Sequence, residues 1–274
     1  MKAGTCVMQY AAFFSSLSTN AGDAIQTVAA MRFLPRMDTF IDRDNLQSYS
    51  VSPPTFYIGN GWYSNNADCF PPPDNLQPFY ISFHWHPAID ASSTALKHLK
   101  GNEPIGTRDE HTCHWLKQQG IDAYLSGCLT LTLERPTLPR GDAILMVDVY
   151  QPYKNCIPER LRKNAVSLSH THRKMTSCSI EKVAWAKLNR YATARLVITS
   201  RLHAALPCIA FGTPVVLLAD RYDIRFAGVC PGLKAQTPEE HIDWNPPPVD
   251  IQRQKQDLID RCVSAVHNAK MKVD

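Results

Sequence analysis

The sequence lacks several features that would place a protein in a specialised class. It has no apolar run of about 18 residues, the length that a bilayer-spanning helix needs, and no Cys-x-x-Cys pair of the kind that binds zinc. It also has no low-complexity tract, no heptad pattern and no long internal repeat. We therefore predict a protein without a transmembrane segment and without a metal site.

The sequence also lacks a large excess of charge of either sign. The net charge is +4, and the 29 Lys and Arg residues are spread along the chain. That distribution does not predict a nucleic-acid partner, although it mildly favours anionic substrates. Hydrophobic residues make up 44% of the 274 residues and charged residues 20%, which is typical of a soluble globular protein.

The nine cysteines are an odd number, and several lie inside apolar segments. This pattern predicts reduced, buried thiols in a cytosol-like compartment. We expect a cytoplasmic protein, or one in a Golgi-like lumen if the sequence is a trimmed form of a longer protein. The apolar residues near the N-terminus are interpreted as a first core strand, at about residues 4–10, and not as a signal peptide.

Short apolar runs alternate with amphipathic segments along the whole chain, which predicts an α/β protein with parallel sheets flanked by helices. Further strands are predicted at 37–41, 49–58, 80–85, 124–133, 143–149, 165–170, 196–198 and 215–219. Helices are predicted at 23–34, 93–100, 107–119, 158–164, 179–193, 200–211 and 251–270. The polar, turn-rich segment 134–142 suggests a boundary between two domains, 1–137 and 138–274.

The most informative stretch is 196–219, which is predicted to form a strand, a tight turn, a helix and a second strand. Ser200 is the predicted N-cap of that helix, and Arg201 and His203 fall in its first turn. A helix N-terminus attracts anions. A guanidinium grips two oxygens, and an imidazole moves a proton near neutral pH. The pattern therefore favours an anion site over a capping His and a solvated Arg.

A second arginine occupies a similar position in the first half of the chain. Thr107 and Glu110 have the spacing of a capping box, which places Arg108 in the first turn of a helix. Ligands on parallel sheets bind beyond the carboxyl ends of the strands. We therefore predict that Arg108 and Arg201 hold an anion between the two halves.

Four further segments carry weaker signals. A Gly-containing turn precedes the first helix, two glycines and two aromatics form a predicted loop at 59–63, and two histidines end the strand at 80–85. The last signal is a histidine near a strand end in the second half. The corresponding candidate residues are Asn20, Gly22, Asp23, Asn60, His84 and His170. For the pair His84 and His86, structural or substrate-contacting roles are favoured over metal binding, because no third ligand is nearby.

Six segments taken in order resemble the polysaccharide pyruvyl transferase family. They are NAGDAIQ (20–26), NGWY (60–63), ISFH (81–84), IGTRD (105–109), GIDAY with SGCLTLT (120–132) and VITSRLH (197–203). The resemblance implies two Rossmann-like domains that face each other across a cleft, as in GT-B glycosyltransferases. It also implies phosphoenolpyruvate as co-substrate, with no further cofactor, and a carbohydrate acceptor that is converted to a pyruvate ketal.

The resemblance also implies roles for particular residues. By motif match, Arg108, Arg201 and Leu202 are donor-binding residues and His203 is catalytic. An alternative is a GT-B-type glycosyltransferase that uses a nucleotide sugar, because a helix-end anion site also suits a diphosphate. A sugar-binding or scaffold protein without activity is a third possibility, although it leaves the two arginines and the histidine without a role.

Overall fold

The computed structural model describes residues 7–49, 53–220, 223–239 and 241–271. Strands and helices alternate throughout this part of the chain. Two parallel sheets are flanked by helices, which confirms the predicted α/β class. The division at residues 137 and 138 stays a prediction.

The first sheet has six strands in the described residues, in the order β2-β1-β3-β4-β5-β6. All its neighbours pair in parallel. Its strands are β1 (Gln9–Phe14), β2 (Thr39–Asp42), β3 (Thr55–Trp62), β4 (Leu76–His84), β5 (Ile105–Thr107) and β6 (Ala123–Leu125).

The second sheet, counted over the same described ranges, has five strands in the order β11-β10-β9-β7-β8. These also pair in parallel throughout. Its strands are β7 (Ile144–Val147), β8 (Ala165–Leu168), β9 (Leu196–Thr199), β10 (Val215–Leu218) and β11 (Ala235–Gln236).

The helices lie on the faces of these sheets, where their apolar sides are buried. They are α1 (Ala21–Met31), α2 (Ser93–Gly101), α3 (Glu110–Gln118), α4 (Glu159–Lys163), α5 (Ile180–Thr193), α6 (Leu202–Ala210) and α7 (Gln252–Met271). The predicted helices at 23–34, 93–100, 158–164, 179–193 and 251–270 agree with these bounds to within three residues.

Helix α1 joins the two halves of the molecule. It packs on β1 and β3 of its own sheet and on α5 and α6 of the second half. Ile25 on α1 and Leu188 on α5 are fully buried in one continuous apolar cluster. A short antiparallel bridge pairs Asn20 with Thr171, and the Ala21 amide donates to the His170 carbonyl at 2.8 Å. The start of α1 is therefore fixed against the second half by both packing and backbone hydrogen bonds.

One loop prediction and one strand prediction were wrong, each at a segment that contains glycine. The predicted loop at 59–63 is largely the end of β3, where Gly59 lets the Tyr80 ring approach to within 2.6 Å of a Cβ position. The predicted strand at 124–133 stops at Leu125. Gly127 has a φ of +76°, and a 3₁₀ helix follows at Leu129–Thr132. A left-handed residue breaks the ladder, so the apolar run that follows cannot remain in the sheet.

Both predicted helix caps were also wrong by one or two residues. Thr107 belongs to β5, and the N-cap of α3 is Asp109, whose side chain accepts from the Thr112 amide at 2.9 Å. A carboxylate next to free helical N–H groups is a stronger cap than a more distant hydroxyl. The N-cap of α6 is Arg201, with an extended backbone and no side-chain cap bond. Ser200 instead accepts from the Tyr150 amide at 3.2 Å.

Residues 1–6, which include most of the first predicted strand, lie outside the described residues, and β1 begins at Gln9. The predicted strand at 49–58 also overlaps residues that are not described, and β3 begins at Thr55. The eight cysteines in the described residues are free thiols, and five of them are buried as predicted. Cys69 and Cys156 are half-buried and Cys178 is exposed, so the prediction of buried thiols was wrong for these three.

Candidate functional site

A cavity of about 330 Å³ lies where the carboxyl ends of both sheets meet. Residues that follow β1, β2, β5, β7, β8 and β9 reach into it, so both halves of the molecule form its wall. This is the position at which open parallel sheets bind ligands. The lining residues are Leu17, Ser18, Thr19, Asn20, Asp23, Gln26, Arg43, Trp62, Arg108, Tyr150, His170, Ser200, Arg201, Leu202, His203, Arg225 and Phe226.

Arg201 enters the cavity from the turn between β9 and α6. Its amide donates to Thr199 Oγ1 at 2.9 Å, which fixes the turn. Its Nε donates to Asp148 Oδ2 at 2.9 Å, and its guanidinium lies 5.4 Å from the centre of the Tyr150 ring. The side chain is 30% exposed. Arg201 is therefore oriented by two neighbours and still accessible to a ligand.

His203 is the second residue of α6, and its imidazole is in contact with α1. A Cβ on Gly22 would lie 3.3 Å from His203 Nδ1, while His203 Nε2 lies 3.7 Å from the thiol of Cys128. Burial, followed by the positive charge of Arg108, holds the pKa of His203 well below its usual range. The imidazole is therefore neutral at physiological pH and can accept a proton.

Arg108 lies directly after β5 and is only 2% exposed. Its Nη1 is 3.5 Å from Gln26 Oε1, and its Nε is 4.0 Å from Asp109 Oδ2. Within the described part of the molecule that Nε has no hydrogen-bond partner. Burial lowers the pKa of this guanidinium, which nevertheless remains charged at neutral pH. A buried cation with an unpaired donor has unused capacity for an anion.

The other residues predicted at the start of α1 are also at the cavity. Asn20 is the N-cap of α1 and accepts from the Gly22 amide at 3.0 Å. Asp23 lines the cavity and accepts from Ser18 Oγ at 2.5 Å. Gly22 is not a lining residue, but its missing side chain leaves room for the ring of His203. Leu202 lines the cavity next to that ring.

The structure does not bring Asn60 and His84 to the cavity wall. Asn60 is buried, and its side-chain amide donates to the Gln26 carbonyl at 2.9 Å, so it supports α1 from behind. His84 is fully buried, with Nδ1 2.5 Å from Asp109 Oδ2. Burial lowers the pKa of His84 to about 4. A neutral His84 donates through Nδ1 to Asp109, next to Arg108. No group of three metal-binding side chains occurs among the described residues.

His170 lines the cavity but is almost completely buried. Its Nε2 lies 2.5 Å from the hydroxyl of Tyr191, and its Nδ1 has no partner in the described ranges. Burial lowers the pKa of His170 to about 3. Its backbone amide donates to Asp148 at 2.9 Å, so His170 also holds the carboxylate that orients Arg201.

Several lining residues were absent from the predicted site, among them Gln26, Arg43, Tyr150 and Arg225. Arg43 and Tyr150 follow the carboxyl ends of β2 and β7, so the strand-end rule could have found both. Trp62 belongs to the aromatic segment that was expected at a ligand edge. Arg225 comes from a 3₁₀ helix far from any strand of regular pattern, and no local signal indicated it.

The charges around the cavity are strongly unequal. Of the described residues that line it, four are arginines and one is an acid, Asp23. Arg225 is held by both oxygens of Asp223, as Arg201 is held by Asp148. Such a site attracts small molecules that carry more than one negative charge.

Fold and cavity together define an α/β protein with an arginine-rich site at the carboxyl ends of two parallel sheets. The family model described as polysaccharide pyruvyl transferase matches residues 20–222. The chain belongs to this family, as its sequence motifs predicted. The family name identifies a transferase that acts on polysaccharide.

Comparison with solved structures finds a functionally uncharacterized protein from Klebsiella pneumoniae subsp. pneumoniae NTUH-K2044. The two are 12% identical, and the match covers 82% of this chain and 87% of that chain with a TM-score of 0.46. No curated protein matches the sequence. Among the described helices, none combines the length and apolarity needed to cross a bilayer.

Proposed function

We propose that the protein transfers a pyruvyl group from phosphoenolpyruvate to two hydroxyls of a sugar and releases phosphate. The observation that carries the proposal is that Arg108, Arg201 and a neutral His203 line one cavity between the two sheets. The family supports the reaction class. The proposal includes a GT-B-like arrangement, in which the donor and a carbohydrate acceptor meet between two Rossmann-like halves.

Phosphoenolpyruvate suits this cavity in both charge and size. It has a phosphate and a carboxylate close together. Each of these groups offers two oxygens that a guanidinium can bind through two parallel N–H groups. The cavity of about 330 Å³ lies at the lower end of the usual range for small-molecule sites. That size favours a compact donor over a nucleotide sugar.

The reaction requires proton transfers that His203 can perform. One sugar oxygen bonds to C2 of phosphoenolpyruvate while C3 takes up a proton. The second hydroxyl then displaces phosphate from C2, and the cyclic ketal results. The two hydroxyl protons end on C3 and on phosphate, so the reaction is balanced. A neutral imidazole is the form that removes a hydroxyl proton, and positioned acid–base groups contribute about 10²–10⁴-fold in rate.

The arginines then stabilise the leaving group. Charge grows on the phosphate as its bond to C2 breaks, and donors that are already in place lower the barrier without reorganisation. Arg108 is immobilised by burial and Arg201 by Asp148. The aromatic side chains of Trp62 and Tyr150 also line the cavity, and they offer apolar faces against which a sugar ring can pack.

His203→Ala tests the proposal. We expect turnover, measured as phosphate release from phosphoenolpyruvate with a panel of sugar acceptors, to fall at least 100-fold. Phosphoenolpyruvate should still raise the melting temperature of the variant, and UDP- and GDP-sugars should not. The matched control is His114→Ala, because His114 is an exposed helical histidine outside the cavity. Turnover by His203→Ala within a few-fold of the parent would refute the role of His203.

A further inference from the structure

Besides Arg108, a second arginine in the cavity has no carboxylate within hydrogen-bonding distance. Arg43 is the first residue after β2 and is 8% exposed. It lines the cavity, yet its Nε has no partner among the described residues. Its ion pair with Asp23 has an N–O separation of 3.7 Å, which is too long for a hydrogen bond. A nearly buried guanidinium with these contacts is poorly compensated.

The nearby carboxylates are engaged elsewhere. Asp42 accepts from the Ser16 amide at 3.1 Å, and Asp44 accepts from the Leu17 amide at 3.0 Å. Both therefore hold the loop after β1. Asp23 accepts from Ser18 Oγ at 2.5 Å. All three carboxylates thus accept hydrogen bonds from the loop after β1, and only Asp23 among the described residues forms an ion pair with Arg43.

Arg43 lies beside the same glutamine that Arg108 contacts. A Cβ on Gly61 would be 3.1 Å from Arg43 Nη1 and 3.4 Å from Gln26 Oε1. That oxygen is 3.5 Å from Arg108 Nη1. The φ of Gly61 is +98°, a conformation that suits glycine, and the missing side chain lets the guanidinium lie against the backbone. Arg43 and Arg108 therefore both lie near Gln26 at the cavity wall.

This arrangement differs from that of the other two arginines in the cavity. Arg201 and Arg225 each have a carboxylate at 3.0 Å or less. Arg43 and Arg108 have carboxylates at 3.7 and 4.0 Å, and each has an unpartnered buried Nε–H. Like charges held close together in a desolvated site repel each other unless an anion lies between them. Arg43 and Arg108 are therefore less well compensated by carboxylates than Arg201 and Arg225.

We propose that Arg43 is a further anion-binding residue and that Arg43 and Arg108 together bind a phosphate group. The identification of that phosphate as the one on phosphoenolpyruvate rests on the proposed function. Asp23 opposes phosphate binding by charge repulsion, because its carboxylate lies 3.7 Å from the Arg43 guanidinium. The pair of buried arginines is thus matched to a group with two negative charges.

Calorimetric titration with inorganic phosphate, followed by phosphoenolpyruvate, tests the inference on four variants. Arg43→Met and Arg43→Lys should each weaken phosphate binding about 10–100-fold, because a charged hydrogen bond is lost or its fork geometry is changed. Asp23→Asn should strengthen phosphate binding several-fold, because it removes a negative charge. Arg162→Met, which changes an exposed residue on α4 by the same charge, should bind like the parent.

Phosphate affinity of a folded Arg43→Met within twofold of the parent, or weaker binding by Asp23→Asn, would overturn the inference. If Arg43→Met fails to fold, the other two variants still test the inference, because Arg43→Lys should weaken phosphate binding and Asp23→Asn should strengthen it. If the parent binds neither phosphate nor phosphoenolpyruvate, this inference and the proposed function both fail. If the variants behave as expected but the parent transfers no pyruvyl group to any acceptor, the anion site stands and the proposed function fails.

Discussion

Arg108→Met should separate ligand binding from folding. Arg108 is 2% exposed, and burial disfavours its charged form, as the lowered pKa of the guanidinium shows. Methionine is also long, and it places no charge in the interior. Replacing a whole buried ion pair by apolar side chains of similar volume is often neutral or stabilising by about 1–4 kcal/mol. The exception is a substitution that leaves a buried partner unpaired.

That exception applies here, because Met removes the cation beside the buried Asp109 carboxylate and the neutral His84 supplies no charge. The carboxylate lies 2.5 Å from His84 Nδ1, accepts from the Thr112 amide at 2.9 Å, and is 4.0 Å from Arg108. We therefore expect the free energy of unfolding to fall, by less than the usual cost of about 3–5 kcal/mol because Asp109 keeps these two hydrogen bonds. Each 1 kcal/mol corresponds to roughly 2–4 °C in Tm. Donor binding should fall at least about 100-fold, since two charged hydrogen bonds contribute about 1.5–3 kcal/mol each.

Thermal melts with and without phosphoenolpyruvate measure both effects in one experiment. A ligand at about 100 times its Kd stabilises the parent by about 2.7 kcal/mol, and this shift should disappear in Arg108→Met. Arg162→Met is again the exposed control. A variant that melts far below the parent and is still stabilised by phosphoenolpyruvate would refute the reasoning, because Arg108 would then be a structural ion pair of Asp109.

Two further predictions concern the histidines. Gly22→Ala adds a Cβ at 3.1 Å from His203 Cβ and 3.3 Å from its Nδ1, so the imidazole must shift by a few tenths of an ångström. Phosphate-release assays should therefore show about a tenfold loss of kcat. Urea titrations should show little loss of stability, because alanine favours a helix. Unaltered kcat would contradict this. Burial lowers the pKa of His84 to about 4 and of His170 to about 3. As the pH falls, these two histidines are therefore protonated in the unfolded chain before they are protonated in the folded protein, which favours unfolding. Urea titrations at about pH 6.5 and 5.5 should show a loss of about 1 kcal/mol of unfolding free energy for each histidine, and a stability that does not fall would contradict this.

The sequence predicted the alternation of strands and helices well, because apolar periodicity is a local property. The unit at 196–219 formed β9, α6 and β10, and Gly120 ends the region of α3 with a φ of +72°. The failures occurred where one glycine decided between two structures. Gly61 continues a strand with positive φ, whereas Gly127 ends one, and nothing in the neighbouring residues distinguishes these outcomes.

The motif and the strand-end rule agreed on three of the predicted site residues, whose roles stay predictions. Arg108, Arg201 and His203 follow strand ends and lie at one cavity. Arg43 was missed because a residue after an edge strand carries no motif, and Arg225 because its position depends on the path of a long loop. Predicting these two residues requires knowing which strand ends face each other across the two sheets.

The start of α1 explains how two sheets maintain a single site. Asn20 pairs with Thr171 of the second half, and Gly22 contacts the ring of His203. One turn later, Gln26 is hydrogen-bonded to Arg108 at 3.5 Å. A rotation of one half against the other would break the first contact and displace the other two together. The distance between the histidine and the buried arginine is therefore set by the rigidity of one buried helix, and no flexible linker determines it.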